Sequence, residues 1–235
     1  MYTYFPFFLL IMVQLFTFSG ISQTPLSLIE PTIETKHFND YQGSIYNSLR
    51  FKKASINEEK SGSFDTEVRY NMYTDQMEYS KDDQLFMVKQ DPSIHIRIDD
   101  EYFYYCNFTN KRFVSKRGYY VLVELSDNYA IYKKYDLEII DPKKYGGTDG
   151  TPTPGVIKVV YKYYLEEDGI IMELPLNKRE MLALFSDKEQ ELNTYIKKNK
   201  LKLRKEEDII QLVSKYNMLK SDNIGPSRSL LTNSN

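Results

Sequence analysis

The chain has 235 residues and a formal net charge of −2, a balance that argues against nucleic-acid binding, which requires a strong basic excess. One cysteine, Cys106, excludes an intramolecular disulfide, and two histidines, His37 and His95, exclude most histidine-based metal sites and catalytic triads. Hydrophobic residues make up 41% of the chain and charged residues 27%, which is typical of a folded domain and not of a disordered chain.

The N-terminus has the pattern of a signal peptide. Residues 5–18 form an almost unbroken apolar run, shorter than the ~20 residues of a membrane-spanning helix, and the first charged residue is Glu30. Gly20 and Ser22 then give the small-residue pattern that signal peptidase accepts. We predict that residues 1–22 are removed and that no transmembrane span remains. No Lys or Arg precedes the apolar run, so an uncleaved anchor is the alternative.

The body of the chain changes its hydrophobic period once. Residues 23–60 are predicted to be an irregular N-terminal segment, followed by a single α+β domain over residues 61–220. From residue 64 to residue 174 apolar and polar residues alternate with period two between short polar turns, which predicts a curved antiparallel meander.

After residue 177 the period becomes 3.6, which predicts two to three α-helices within residues 177–219. Asn177 and Ser186 each precede a Glu by three residues, the pattern of a capping box. We expect these helices to pack on the sheet and to be required for folding. Residues 221–235 have no periodicity and are predicted to be a disordered tail.

The sequence offers no candidate catalytic residue, metal site or cofactor site. His95 alternates with Ile94 and Ile96 on a predicted strand, which favours a solvent-facing side chain. Cys106 lies among aromatic residues, where burial suppresses the reactive thiolate. We therefore predict no chemistry that depends on His37, His95 or Cys106. Paired carboxylates are defined by spatial and not by sequence distance, so a carboxylate-dependent hydrolase remains an alternative.

The density of tyrosine on the predicted strands is the most unusual feature. There are 21 tyrosines, and they occur at positions that point to both faces of the sheet, although a half-buried sheet needs only one apolar face. Either the helices cover the second face, or tyrosines are exposed there and form a cleft for a sugar, lipid or peptide. The predicted ligand-binding residues are Tyr102, Tyr104, Tyr105, Tyr119, Tyr161 and Tyr163.

Three stretches carry a resemblance: Gly43-Ser44-Ile45-Tyr46, residues 69–78, and the tail helices at 187–192 and 195–200. In these stretches the chain resembles a loose group of exported Gram-negative bacterial proteins without an established activity. The resemblance implies a compartment and a shape only.

These observations predict an exported, non-catalytic protein that is periplasmic, associated with the outer membrane, or secreted. We expect it to bind an envelope protein, a glycan or a lipid through the Tyr-rich sheet. A hydrolase that uses carboxylates in a cleft is one alternative. A structural accessory subunit of an envelope complex is another, and would have an exposed apolar patch in place of a cavity.

Overall fold

The computed structural model describes residues 28–31, 38–60, 62–81, 84–143 and 152–221. The predicted signal peptide and the predicted tail after Ser221 lie outside these residues. The described chain forms one mainly antiparallel mixed sheet followed by three α-helices, so the predicted α+β class is confirmed. No helix in these ranges is long and apolar enough to cross a membrane.

The strands are β1 (Ile29–Pro31), β2 (Tyr41–Gln42), β3 (Lys52–Glu58), β4 (Gly62–Asn71), β5 (Gln76–Lys81), β6 (Gln84–Val88), β7 (Ile94–Ile98), β8 (Glu101–Thr109), β9 (Ser115–Leu125), β10 (Ala130–Ile140), β11 (Gly155–Glu167) and β12 (Ile170–Leu174). The α-helices are α1 (Lys178–Leu184), α2 (Glu189–Asn199) and α3 (Glu206–Ser221), and a 3₁₀ helix, Ser186–Lys188, precedes α2.

The sheet departs from a simple meander at two places. After the hairpins β3–β4, β4–β5 and β5–β6, the chain returns and β7 pairs with β3. From β8 to β12 each strand pairs with the next, and β12 closes this series on β8 through the bridge between Ile170 and Thr109. The first half is therefore an open curved sheet, and the second half is a closed ring of strands.

Strand β3 lies inside the segment that was predicted to be irregular. Its sequence holds only two apolar residues, Ala54 and Ile56, separated by Ser55. Such a short alternation gives a weak signal for a strand. In the fold β3 pairs with β4 on one side and with β7 on the other, so it lies at the centre of the open sheet.

One face of the open sheet, here called the core face, carries the first hydrophobic core. Its fully buried side chains include Ile56, Val68, Tyr70, Ile96 and Phe103. Tyr119 and Val121 from β9 and, partly buried, Tyr135 and Leu137 from β10 close over the same core. The core is therefore enclosed by strands on both sides, without a helix.

The second core lies between the ring of strands and the C-terminal helices. Ile131, Leu165 and Leu174 from the strands meet Met181, Phe185, Leu192, Ile196, Ile209, Leu212 and Val213 from the helices. Asn177 caps α1 as predicted, because its side-chain oxygen accepts hydrogen bonds from the amides of Arg179 and Glu180. The predicted capping box at Ser186 is wrong: this residue begins a 3₁₀ helix, and α2 starts at Glu189 with no side-chain cap.

Candidate functional site

The six tyrosines predicted to bind a ligand do not form one surface. Tyr119 lies in the first core at 2% exposure and Tyr163 in the second core at 7%. Tyr105 is half-buried against the first core, with its ring 5.3 Å from that of Tyr119. Tyr161 is exposed in the middle of β11, on a different strand from Tyr102 and Tyr104. Only Tyr102 and Tyr104 lie on the opposite face of the open sheet, here called the second face.

Two cross-strand ladders of side chains run across the second face. Strand register fixes them, because residues directly opposite each other on neighbouring strands point to the same face. The first ladder consists of Asp65, Ser55, Arg97, Tyr102, Leu122 and Tyr132, from β4 to β10. The second ladder consists of Ser63, Asn57, His95, Tyr104 and Tyr120. Both ladders are polar on β3 and β4; from β8 onward the second is aromatic, and the first is aromatic except for Leu122 on β9.

A groove of about 680 Å³ lies at the polar end of the first ladder. Residues of β3, β4 and β7 line it, together with Asp99, which follows β7. The lining side chains are Lys53, Ser55, Asp65, Glu67, Arg97 and Asp99. Asp99 is held by Lys52 through an exposed ion pair of 2.5 Å, a kind of contact that contributes little to stability. We call this site the open groove.

Aromatic rings continue from the open groove along β7 and β8. The guanidinium group of Arg97 lies 5.4 Å from the centre of the Tyr102 ring, within cation–π range. On the second ladder the His95 and Tyr104 rings stack with centroids 5.2 Å apart. Tyr102 is 39% exposed, so an apolar ring borders a groove that is rich in hydrogen-bonding groups.

Beyond β8 the second face becomes the interior of the closed ring of strands. Tyr120 packs against Phe108, Tyr132 and Tyr164, with ring centroids between 5.2 and 6.0 Å apart. Rings this close are in mutual contact and leave no room for a ligand among them. Cys106 faces the same interior, where burial raises the pKa of its thiol to about 12. His95 is half-buried and stacks on the Tyr104 ring, and His37 lies outside the described residues.

At the other end of the second face, a buried polar cluster lies under the N-terminal segment. Asn71, Gln76 and Glu78 are at most 2% exposed. The Arg69 guanidinium donates from Nε and Nη2 to Glu78 Oε2 at 3.1 and 2.5 Å, and Asn71 Nδ2 donates to Glu78 Oε1 at 2.8 Å. We call this set, together with Tyr46, the covered cluster.

Residues 45–51 cover this cluster. The Tyr46 ring lies 3.6 Å from the Arg69 guanidinium carbon, and the Phe51 ring lies 4.7 Å from it. The amide of Met72 donates to the carbonyl of Ile45 at 2.8 Å, so the segment is fixed to β4 by its backbone. Burial and the charge of Glu78 raise the pKa of the Tyr46 hydroxyl, while Arg69 acts in the opposite direction. Every charge here has a partner, which indicates a structural role.

A third group of charges joins the two cores. Lys133 contacts Glu101 at 2.7 Å and Glu206 of α3 at 3.3 Å. The hydroxyls of Tyr135 and Tyr163 donate to the same two carboxylates. Burial lowers the pKa of Lys133, but the flanking carboxylates of Glu101 and Glu206 outweigh this effect and raise it. Because Lys133 contacts a carboxylate on the sheet and one on α3, this group is suited to fixing α3 on the sheet.

In the described ranges no three His, Cys, Asp or Glu side chains come together as metal ligands would. No protein-family model, curated protein or solved structure matches the chain.

The sequence pattern placed Asp65, Arg97 and Tyr102 on strands, but it assigned Ser55 to an irregular segment and did not group these residues. Asp65, Ser55 and Arg97 come from three strands, and β7 reaches β3 only because the chain crosses back over the hairpins between them. The alternation within each strand does reveal which residues share a face. The pairing of non-consecutive strands has no local signal.

Proposed function

We propose that this is an exported binding protein that recognises an oligosaccharide along the open groove, the exposed ring of Tyr102 and the half-buried ring of Tyr104. The observation that carries the proposal is the continuous first ladder, in which Asp65, Ser55 and Arg97 lead directly to Tyr102. The apolar leader supports export, and the half-exposed second face supports binding in place of a purely structural role.

The chemistry of the ladder favours a glycan over a lipid. A sugar ring has an apolar face that stacks on tyrosine and a rim of hydroxyls that needs polar partners. The open groove supplies carboxylates, a hydroxyl and a guanidinium on one side of the aromatic rings. A lipid chain needs a continuous apolar wall, which β3 and β4 do not provide on this face.

The length of the first ladder favours an oligosaccharide over a monosaccharide. The part of it that lies outside the closed ring crosses four strands, β4, β3, β7 and β8, and neighbouring strands lie about 4.8 Å apart, so this part extends over roughly 14 Å. The groove is open along its length, as expected for a site that accepts part of a polymer.

Titration calorimetry with four hexasaccharides, cellohexaose, laminarihexaose, maltohexaose and chitohexaose, tests the proposal. We expect one of them to bind, and Tyr102→Ala to weaken that binding at least about tenfold, which corresponds to ~1.4 kcal/mol. Tyr73→Ala is the matched control, because Tyr73 is 44% exposed but lies on neither ladder; its affinity should equal that of the wild type.

Two results would overturn the glycan proposal. Binding that Tyr102→Ala leaves unchanged would place the ligand elsewhere. Binding to phosphatidylglycerol vesicles without binding to any of the hexasaccharides would make the ligand a lipid.

The hydrolase alternative rests on one observation, the presence of Asp65, Glu67 and Asp99 along the same groove. It predicts release of new reducing ends from the hexasaccharide that binds, with loss of this activity in both Asp65→Asn and Glu67→Gln. We expect binding without turnover.

Export is tested separately. Mass spectrometry of the protein from its native cells should recover an N-terminus that begins at Gln23. Peptides from residues 1–22 in the mature protein would contradict the proposed cleavage after Ser22.

A further inference from the structure

A second surface, which shares no residue with the open groove, lies on β11. Strand β10 pairs with β11 without interruption from Val156 to Glu166. On its other side β11 pairs with β2 at Gly155 and Val156, and with β12 from Tyr163 to Glu167. Within the described chain no strand pairs with residues 157–162 on that side.

The direction of the backbone groups in this gap follows from the regular ladder. In an antiparallel pair, each residue directs both its N–H and its C=O either to its partner strand or away from it, in alternation. The amide of Gly155 donates to the carbonyl of Asp40 at 2.9 Å, and the carbonyl of Ile157 faces Gly43, so the odd-numbered residues point away from β10. Val159 and Tyr161 therefore present N–H and C=O groups at an open edge.

The side chains at this edge are also exposed. Val159 is 37% and Tyr161 is 48% exposed on one side of the strand. Tyr161 is held in place by an edge-to-face contact with Tyr135, with centroids 5.3 Å apart. On the other side lie Lys158, exposed, and Lys162, which pairs with Asp136. An open edge with exposed apolar side chains is a template for an added strand.

We propose that this edge of β11 is a docking site for an extended peptide segment of a partner protein, which binds as an added strand between β2 and β12. Its backbone would pair with Val159 and Tyr161. Its apolar side chains would lie beside those two residues, and its acidic side chains would lie beside Lys158 and Lys162.

The geometry disfavours a second copy of this chain as the occupant. The gap from Ile157 to Tyr163 measures about 20 Å at ~3.3 Å per residue, and β2 and β12 occupy the same line at its two ends. The β11 strand of a second copy would continue past the gap and meet β2 or β12. Antiparallel pairing centred on Val160 would also set Lys158 against Lys162 of the second copy, a repulsive pair. A short single peptide strand avoids both conflicts.

Amide hydrogen exchange followed by NMR tests the open edge in the wild-type protein. We expect the amides of Val159 and Tyr161 to exchange at least about a hundredfold faster than those of Val160 and Lys162, which lie in the β10 ladder. Slow exchange at Val159 and Tyr161 in the free protein would show that another part of the chain already fills the gap, and would overturn the proposal.

The probe for docking is an acetylated and amidated heptapeptide that alternates Glu and Val. Its addition should slow exchange at Val159 and Tyr161 at least about tenfold, and N-methylation of its central Val residues should abolish the effect. Unchanged exchange at saturating peptide would overturn the proposal. Protection that arises without peptide, together with dimerisation in sedimentation experiments, would assign the edge to a second copy and equally overturn it.

A matched pair of proline variants gives an independent readout. Val159→Pro removes an N–H that the fold does not use, so the protein should stay folded and lose peptide binding at least about tenfold. Val160→Pro removes a ladder hydrogen bond and should lower the melting temperature. If Val159→Pro destabilises the protein as much as Val160→Pro, the edge of β11 is already paired and the proposal fails. If the Val159→Pro variant stays folded and binds the peptide with unchanged affinity, the peptide does not dock at this edge.

Discussion

The two ends of the second face use the same residue types for opposite purposes. In the covered cluster Glu78 is buried and Arg69 is partly buried beneath Tyr46, and the two are paired with each other. In the open groove Arg97 lies beside Tyr102, Glu67 lines the same groove, and all three side chains reach solvent. The difference arises from residues 45–51, which lie over one end of the face and not over the other.

This contrast shows that coverage and not residue type separates a structural site from a binding site. A buried charge must be paired, because desolvation is costly without a partner. An exposed charge keeps its water and can exchange it for a ligand. Arginine, glutamate and tyrosine in one strand pattern therefore indicate either role until the covering segment is known.

The largest expected effect is the loss of Glu78. Glu78→Ala leaves the Arg69 charge buried without its partner, and removal of one member of a buried ion pair costs about 3–5 kcal/mol. The matched change Glu67→Ala in the open groove should alter the free energy of unfolding by no more than about 0.5 kcal/mol. Urea unfolding of the two variants measures both values. Equal destabilisation would remove the distinction between the two ends.

The interior of the closed ring gives a second test of coverage, through Cys106. With a pKa of about 12, this thiol should hold roughly a thousandfold less thiolate at pH 8 than an ordinary cysteine. Only the thiolate reacts with an alkylating agent. Its alkylation by iodoacetamide in the folded protein should be slower by that factor and should reach the normal rate in urea. Fast alkylation of the folded protein would show that the ring interior is open.

Alkaline pH should weaken the fold through its buried tyrosines. Burial raises the pKa of Tyr164 from 10.0 to about 12, and the pKa of Tyr46 in the covered cluster is also raised. A group with a raised pKa contributes stability that is complete below the unfolded value and is lost as pH rises through the folded value. Chemical unfolding between pH 9 and 12 should therefore show stability falling above about pH 10. Tyr164→Phe should make this decline shallower, and an unchanged slope would contradict the assignment.

The smallest expected effect on stability is in the open groove. Tyr102→Ala removes an exposed ring that packs against no core residue, so the free energy of unfolding should change by less than about 0.5 kcal/mol. The same variant should lose glycan binding. A stability loss of several kcal/mol, measured by urea unfolding, would show that Tyr102 is structural.

The sequence was sufficient to predict the fold class, because the change from period two to period 3.6 is strong and local. The Asn177 cap was also readable from its spacing to Glu180. Strand β3 could not be predicted from the sequence, since Ala54 and Ile56 are its only apolar residues. Nor could the sequence reveal the covered cluster: Arg69 and Asn71 alternate with buried residues as exposed side chains do, and only the docking of residues 45–51 buries them.

The sequence predicted that tyrosines would form the candidate site, but not which of them lie together. Alternation assigned Tyr102 and Tyr104 to one face and Tyr105 to the other, but it could not show that Tyr119 and Tyr163 enter two different cores. Tyr102 pairs with Arg97 on the neighbouring strand β7, but Ser55 and Asp65 of the first ladder come from β3 and β4, at a distance in sequence that no local pattern encodes. Tyr119 is buried by strands in the first core, and Tyr163 is buried where the C-terminal helices pack against the ring.

Backbone amide shifts recorded during titration with the tightest-binding of the four hexasaccharides test the central claim most directly. The open groove should respond and the covered cluster should not. We expect shifts centred on Ser55, Arg97 and Tyr102, with none at Tyr46 or Arg69. Shifts centred on Tyr46 and Arg69, or the absence of binding by all four hexasaccharides, would contradict the assignment of the open groove as the binding site.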